Sequence, residues 1–585
     1  MKKKCTSMIL ALILCLSMVL SACGGGGGNG SNGGQTQAGA GDKGSTQAAG
    51  SDNSNKDASD NDTAEAAGTN ADGADSANAA NSGNNNNNDN NDNNGAATGE
   101  PKTGGILKIG TGQNPTIIGY TPEISANAQL QFLRTVFNSL CFYDEDGKLA
   151  PELAESWETD ADAATITFHL RSGVKFSDGT DFNAKAVKWN LEQYKSVGRT
   201  EAADIKTIEC PDENTVVITL EAWRSSALES IGFFVYYMSP TAFEENGGAD
   251  WARLNAVGTG PFLLKSFEQG VGVKYEKNPN YWESGKPYLD GVEYTIISEP
   301  TTLENALTAG EIDMISYASI DSLRNLEPTG NFIRETNQNG NGVETTGVIP
   351  SSSDENSPFA NALVRQAMCY AIDADTIVES LGYGYYTRTN QWAAPGAITY
   401  NDDVEGYPYN PEKAKELLVE AGYPDGFDTQ IYAMSGIENW ATAIADQLTQ
   451  VGIRTQVEMI DGTKGNDMMT NGWDGIYWHF ASVSPDLGLY MGRHLDPSGA
   501  FYAKGIQHPQ DCLDLLAQIR TAKDDDTKIA AELELQKKIY DEYALFGMPL
   551  YVSAINAIKY PYVCDDNYTR YHVATWTPAN CWMDK

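Results

Sequence analysis

Thr165–Phe182 reads TITFHLRSGVKFSDGTDF, and its first six residues alternate strictly. Ile166, Phe168 and Leu170 fall on one face, and Thr165, Thr167 and His169 on the other, which is the pattern of a half-buried strand. Ser177-Asp178-Gly179 then supplies turn residues. Asn183 stands where a helix carrying Val187, Leu191 and Tyr194 needs its N-cap. The same punctuation recurs downstream. Asn410-Pro411 opens a helix and Gly422 closes it, with Pro inside the start and Gly past the end. Trp440–Gln450 predicts another helix, stopped near Gly452, and Ile453, Thr455, Val457 and Met459 alternate as a strand. Strands and helices in alternation point to an α/β chain whose sheets are covered by helices. No internal repeat is visible. The body beyond residue 100 exceeds the length at which single cores stop growing, about 250–300 residues, so two or more lobes are expected.

The N-terminus reads as an export signal. Lys2, Lys3 and Lys4 precede an apolar run from Met8 to Leu20, followed by Ser21-Ala22-Cys23 and five glycines. A basic start, a short apolar core and small residues before a cut are the marks of such a signal. The run is shorter than the roughly 20 residues a membrane span needs. The Leu20–Cys23 ending resembles a bacterial lipobox, which implies cleavage before Cys23 and lipid on its thiol. One acyl chain holds only marginally, at about 0.8 kcal/mol per buried methylene, and two hold firmly.

From Gly24 to about Glu100 the chain is nearly all Gly, Asn, Ser, Ala, Asp and Thr, with the run Asn84–Asn88. It offers no apolar face to offset the entropy of ordering, so it reads as a disordered tether. A flexible chain of this length spans on the order of 50 Å. The tether is acidic, with only Lys43 and Lys56 against its carboxylates, and the whole chain carries a net charge of −39. Such a surface repels phosphates, so no nucleic-acid partner is expected.

Catalytic and metal signatures are missing. The five histidines, His169, His479, His494, His508 and His572, show no metal spacing. Gly258–Ser266 fails as a phosphate loop, because Leu264 stands where its second glycine must be. Asp402-Asp403, Asp524–Asp526 and Asp565-Asp566 read as solvated charges. A carboxylate pair of glycosidase type is distant in the chain and leaves no local signature, and nothing favours one here. Of the nine cysteines, Cys141, Cys210, Cys369, Cys512, Cys564 and Cys581 lie in the body without CxxC spacing. Zinc is therefore not expected. Cys564–Cys581 is the first pair to test for a bridge, and buried thiols are the alternative. No cofactor is expected.

Several ordered stretches carry a resemblance. Pro151–Trp157 (PELAESW), Thr165–Phe182, Val257–Phe262 (VGTGPF) and Lys277–Trp282 (KNPNYW) are similar to successive signatures of family 5 extracellular solute-binding proteins. So are Ala309–Asp313 (AGEID), Val364–Asp373 (VRQAMCYAID) and Asn410–Tyr423 (NPEKAKELLVEAGY). That family comprises dipeptide, oligopeptide and nickel-type receptors of ABC importers. The resemblance implies a two-lobed, periplasmic-binding-protein type II-like fold with an extra subdomain on lobe 1, behind the tether. The implied layout is a signal at 1–22, the lipidated cysteine and tether at 23–101, and lobe 1 at 103–345 with its subdomain near 142–275. Lobe 2 follows at 346–546, and 547–585 returns to lobe 1. Ligand would sit in the cleft, the lobes closing over it by hinge motion. Gly258, Gly260, Pro261, Trp157, Phe168 and Arg365 in these motifs are expected to be architectural.

The resemblance also points to Trp473–Arg493 (WDGIYWHFASVSPDLGLYMGR) as the pocket segment. Peptide-binding relatives carry there an aspartate that pairs with the peptide α-amine. Aligning Pro485-Asp486 with the family's Pro-Asp puts Ala481 at that position, and an alanine cannot pair with an ammonium. Ser482 or Asp486 could substitute. The segment offers Trp478, His479, Tyr490 and Arg493, and a Gly-rich loop upstream adds Tyr386 and Trp392. Flat rings with polar handles suit sugars, aromatic peptides or other uncharged solutes, although many such rings simply pack a core. The expectation is a monomeric, non-enzymatic receptor for a peptide or oligosaccharide. Its partners would be permease subunits with their ATPase, and the membrane through its lipid. It would sit on the outer face of the cytoplasmic membrane in a bacterium without an outer membrane. A surface glycosidase or a sensor is the lesser alternative.

Overall fold

A computed structural model describes residues 100–585, apart from 125–128, 145–147, 337–343, 483–485, 498, 500–501 and 565–576. The side chains of 481 and 482 are also outside the description. Cys23, the signal and the tether therefore lie outside the described residues.

The opening stretch does what its alternation predicts. Thr165–Leu170 is an inner strand of a four-stranded antiparallel sheet, with Ile166, Phe168 and Leu170 buried. Its neighbours are Ala154–Asp160 on one side and Thr215–Leu220 on the other, with Ile205–Glu209 at the far edge. Asn183 caps helix Ala184–Ser196, its side chain accepting from the Lys185 and Ala186 amides. That helix buries Val187, Leu191 and Tyr194 against the sheet.

Two larger sheets carry the rest. A seven-stranded sheet runs in the order Ile333–Thr336, Asn556–Lys559, Met314–Ser316, Ile106–Thr111, Gly291–Ile296, Gly272–Lys277, Phe262–Glu268. Ile106–Thr111 is parallel to both Gly291–Ile296 and Met314–Ser316. A six-stranded sheet runs Tyr386–Arg388, Met548–Ser553, Glu344–Pro350, Ile476–Ser482, Phe427–Met434, Ile453–Ile460. Its last three strands are parallel. Helices pack both of its faces. Ala362–Tyr370, Ala374–Gly382, Pro411–Glu420 and Glu438–Gln450 cover one, and Leu487–Leu495, Gln510–Thr521 and Asp525–Lys537 the other.

Local readings and structure agree at Asn410, which caps Pro411–Glu420, and at Gly422, whose φ of 93° ends that helix in the left-handed region. Ile453–Ile460 is a strand as its alternation predicts, but it lies at the sheet edge, and Val457 and Met459 are exposed. Period identifies a strand; only the sheet order says which face is covered. Gly258 and Gly260 are not in positive φ. They are small because a Cβ at either would collide with the Val136 carbonyl, which the Gly260 amide contacts at 2.7 Å. Arg365 holds structure: its guanidinium donates to the carbonyls of Phe359, Ala360 and Tyr543 at 2.8–3.0 Å.

The chain passes from the seven-stranded to the six-stranded sheet between Thr336 and Glu344, and back between Ser553 and Asn556. The return therefore follows Ser553 rather than residue 547, because Met548–Ser553 pairs with Glu344–Pro350. Glu344 and Thr345 likewise stand in the six-stranded sheet. Cys564 and Cys581 are not bridged, although Cys564 pairs with Trp582 across adjacent short strands. Among the described residues, no helix is long and apolar enough to cross a membrane.

Candidate ligand-binding cleft

Strand direction places the cleft. The parallel strands of the seven-stranded sheet end at Thr111, Ile296 and Ser316, and those of the six-stranded sheet at Met434, Ile460 and Ser482. Both crossovers join these same two edges. Ala554 and Ile555 alone link Ser553 to Asn556, a span of about 10 Å at most, so the two edges adjoin. Ligands of open α/β sheets bind outside the carboxyl ends of strands. Side chains tie the edges together beside the crossovers. Tyr385 donates its hydroxyl to Glu327 at 2.9 Å, and the Arg334 guanidinium lies 4.8 Å from the Tyr385 ring centre. Arg324 lies over the Tyr383 ring at 3.8 Å.

The residues singled out in the sequence divide into several environments. Trp392, His479 and Tyr490 come together on one face of the six-stranded sheet. Trp392 stands 5.2 Å from the His479 ring and 5.4 Å from Tyr490, and it is 2% exposed. His494 completes the cluster: His479 and His494 meet through their Nε2 atoms at 3.2 Å, with the Tyr490 hydroxyl 3.4–3.5 Å from both. His494 Nδ1 faces the Tyr490 carbonyl at 3.2 Å, so that nitrogen carries the proton, and Nε2 is left to accept from His479. Burial pushes His494 down to about 4 and His479 well below its ordinary value, so both rings are neutral.

Trp478 points to the opposite face, where it packs edge-on against Trp440 at 6.4 Å, and it is as buried as Trp392. Adjacent strand residues must diverge in this way, so the WHF triplet cannot line one pocket wall. Tyr386 is half-buried at the sheet edge, stacked on Tyr551 with ring centres 4.2 Å apart. Ser482 ends its strand opposite Glu344.

Asp486 is fully enclosed. It caps helix Leu487–Leu495, accepting from the Leu489 amide at 2.7 Å, and pairs with Lys528 at 2.6 Å. Glu532 lies in the same cluster and accepts from the Gly488 amide at 2.7 Å. Glu229 and Tyr143 reach it from the four-stranded-sheet side, Glu229 hydrogen-bonding both Tyr143 and Asp486. Burial first, and the Asp486 charge second, hold the Glu229 and Glu532 carboxyls far above the usual carboxylate range. Burial draws Lys528 down, but Asp486, Glu532 and Glu229 outweigh it and keep the ammonium charged. Beside this cluster, Trp223 Nε1 donates to the Ala522 carbonyl at 2.7 Å. Ser225 donates through its amide and hydroxyl to the Arg520 and Ile519 carbonyls at 2.9 and 2.8 Å. Arg493 is exposed on Leu487–Leu495, within electrostatic reach of Glu201, whose closest partner is Arg199.

Sequence reasoning missed Glu229, Lys528, Glu532 and Glu344. Lys528 follows the Asp524–Asp526 run, which reads as solvated helix-end charge. Asp524 is indeed such a cap, accepting from Thr527 at 2.8 Å. Only the fold brings Glu229 to it. Among the described residues, no group of His, Cys, Asp and Glu is placed to hold a metal ion.

Two large sheets joined by paired crossovers, with carboxyl-end edges adjoining, define the periplasmic-binding-protein class of fold. A family profile for bacterial extracellular solute-binding proteins, family 5 Middle, matches residues 148–501, and the chain belongs to that family. It is a solute-binding protein, not an enzyme. Heme-binding protein A of Haemophilus influenzae is 31% identical over 377 residues, covering 58% of this chain and 67% of that protein. The glutathione-binding protein GsiB of Shigella flexneri is 33% identical over 354 residues, covering 56% and 64%. The chain thus spans about two thirds of the length of these relatives. The periplasmic binding protein DppA of Helicobacter pylori, solved with the peptide STSA, superposes with a TM-score of 0.65 at 24% identity, covering 83% of this chain and 99% of that one.

Proposed function

We propose that this protein captures a small solute, of the peptide class, in the cleft between its two large sheets and delivers it to an ABC importer. The six-stranded sheet is then lobe 2, the seven-stranded sheet lobe 1, and the four-stranded sheet the subdomain near 142–275. Closure is a hinge motion about the crossovers. Lipid on Cys23 would hold the monomer at the outer face of the cytoplasmic membrane, with the tether giving the body room to turn onto its permease. The observation that carries the reading is the adjoining pair of strand ends in a chain of this family. Heme, glutathione and a peptide appear in the names and titles of its relatives. Ala481 favours a second reading, an oligosaccharide or other uncharged solute.

Thermal unfolding against peptide and oligosaccharide panels tests the proposal. A true cargo at 100 times its Kd adds about 2.7 kcal/mol. A class of solute that raises Tm fixes the cargo, whereas catalytic turnover of a stabilising solute would sink the receptor reading. Cys23→Ala should release the protein from membranes into the medium.

A further inference from the structure

Glu344 is the first residue of strand Glu344–Pro350, at the cleft edge of the six-stranded sheet. Its register partners are Ser482 on one side and Ser553 on the other, and Ser553 pairs in turn with Tyr386. Residues opposite one another share a face, so Glu344 and Tyr386 stand together on the face where Tyr386 stacks on Tyr551.

The backbone of Glu344 is satisfied, its carbonyl accepting from Ser553 Oγ at 3.2 Å. Its carboxylate finds no ion-pair or hydrogen-bond partner among the described residues. Burial alone shifts it upward, with no cation among the described residues to offset the cost. The guanidiniums nearby are committed elsewhere. Arg388 is bound to Asp375 and to the Pro549 and Leu550 carbonyls, and Arg334 to Asn556. The phenols of Tyr386 and Tyr551, which stand on its own face of the sheet, feel the Glu344 charge. A desolvated carboxylate without a partner is costly, and it is complementary to a positive group of a ligand.

We propose that Glu344, flanked by Tyr386 and Tyr551, is a subsite for an ammonium group of the ligand. The proposal rests on the cleft reading and narrows it: the cargo bears an amine. The subsite lies on the Tyr386 face of the sheet and not at the Ala481 position, which pairs with Thr345 one residue along.

The test uses the full-length purified protein and three probe sets: tetrapeptides with free amino termini, the same peptides N-acetylated, and neutral tri- and tetrasaccharides. Melting temperature and calorimetric affinity are read for the parent, Glu344→Gln and Glu344→Asp. Free-amine peptides should stabilise the parent and acetylated ones should not. Glu344→Gln should lose about 10–100-fold in affinity for the amines while melting, without ligand, near the parent temperature. Glu344→Asp should recover part of the loss. Equal binding of free and acetylated peptides, or unchanged affinity in Glu344→Gln, overturns the subsite. Stabilisation by saccharides alone also overturns it but leaves the receptor reading standing. If none of the three sets binds, both fall.

Discussion

Helix Leu487–Leu495 carries two buried polar clusters that solve the same problem in opposite ways. Along one side, His494 and Tyr490 join His479 in a group whose protons and lone pairs match without any charge. At its N-terminus, Asp486 joins Glu229 and Glu532 around a single ammonium, Lys528. The first is neutral and self-contained within one half of the molecule. The second has more carboxyls than cations, so it holds protons at neutral pH, and it spans from the four-stranded sheet to the helices of the six-stranded one. A neutral network locks a core; a charged, proton-dependent network makes a junction sensitive to its surroundings.

Removing the cation should break this contrast most violently. Lys528→Met leaves Asp486 buried without a counter-charge and should cost about 3–5 kcal/mol by denaturant unfolding. A loss under 1 kcal/mol would mean that the carboxyls simply take up protons instead.

The pH dependence should separate the two clusters. His494 is depressed to about 4 from 6.5, so the unfolded chain binds the proton first as pH falls. Stability should drop by about 2–3 kcal/mol between pH 6.5 and 4 on this account. Glu229 and Glu532 are shifted upward, so the native state binds more protons than the unfolded one. Their contribution is complete below the ordinary carboxylate range and is lost as pH rises through their raised values. Glu229→Gln, which faces Tyr143, Asp486, Lys528 and Glu532, should therefore flatten the alkaline side of the stability profile and leave the acid side alone. An unchanged alkaline slope refutes the assignment. The smallest effect is expected on the exposed side of the same helix. Arg493→Gln should change stability by less than about 0.5 kcal/mol, and a larger loss would show that Glu201 depends on it.

Much of this was legible from residues alone, and where it was not the cause is physical. Alternation at Thr165–Leu170 and the Asn183 cap are local, so they survive folding unchanged. The lobe boundary was displaced by a strand because Met548–Ser553 is apolar text whose sheet is chosen by a partner far away in sequence. Pocket residues were harder still. His479 and Trp478 are neighbours in the chain and lie on opposite faces of the sheet, so aromatic content alone does not say which rings share a face. Glu344 has no local signature at all; its isolation is a property of what surrounds it.

The link through Ala554 and Ile555 has a mechanical corollary. Two residues give no slack, so the large sheets can swivel about that point but cannot drift apart. Any swivel that lifts the four-stranded sheet from the helices near Ala522 must first unfasten Trp223 and Ser225 from the carbonyls they cap. At about 0.5–1.5 kcal/mol net for each bond, that clasp sets a threshold of a few kilocalories for the gape.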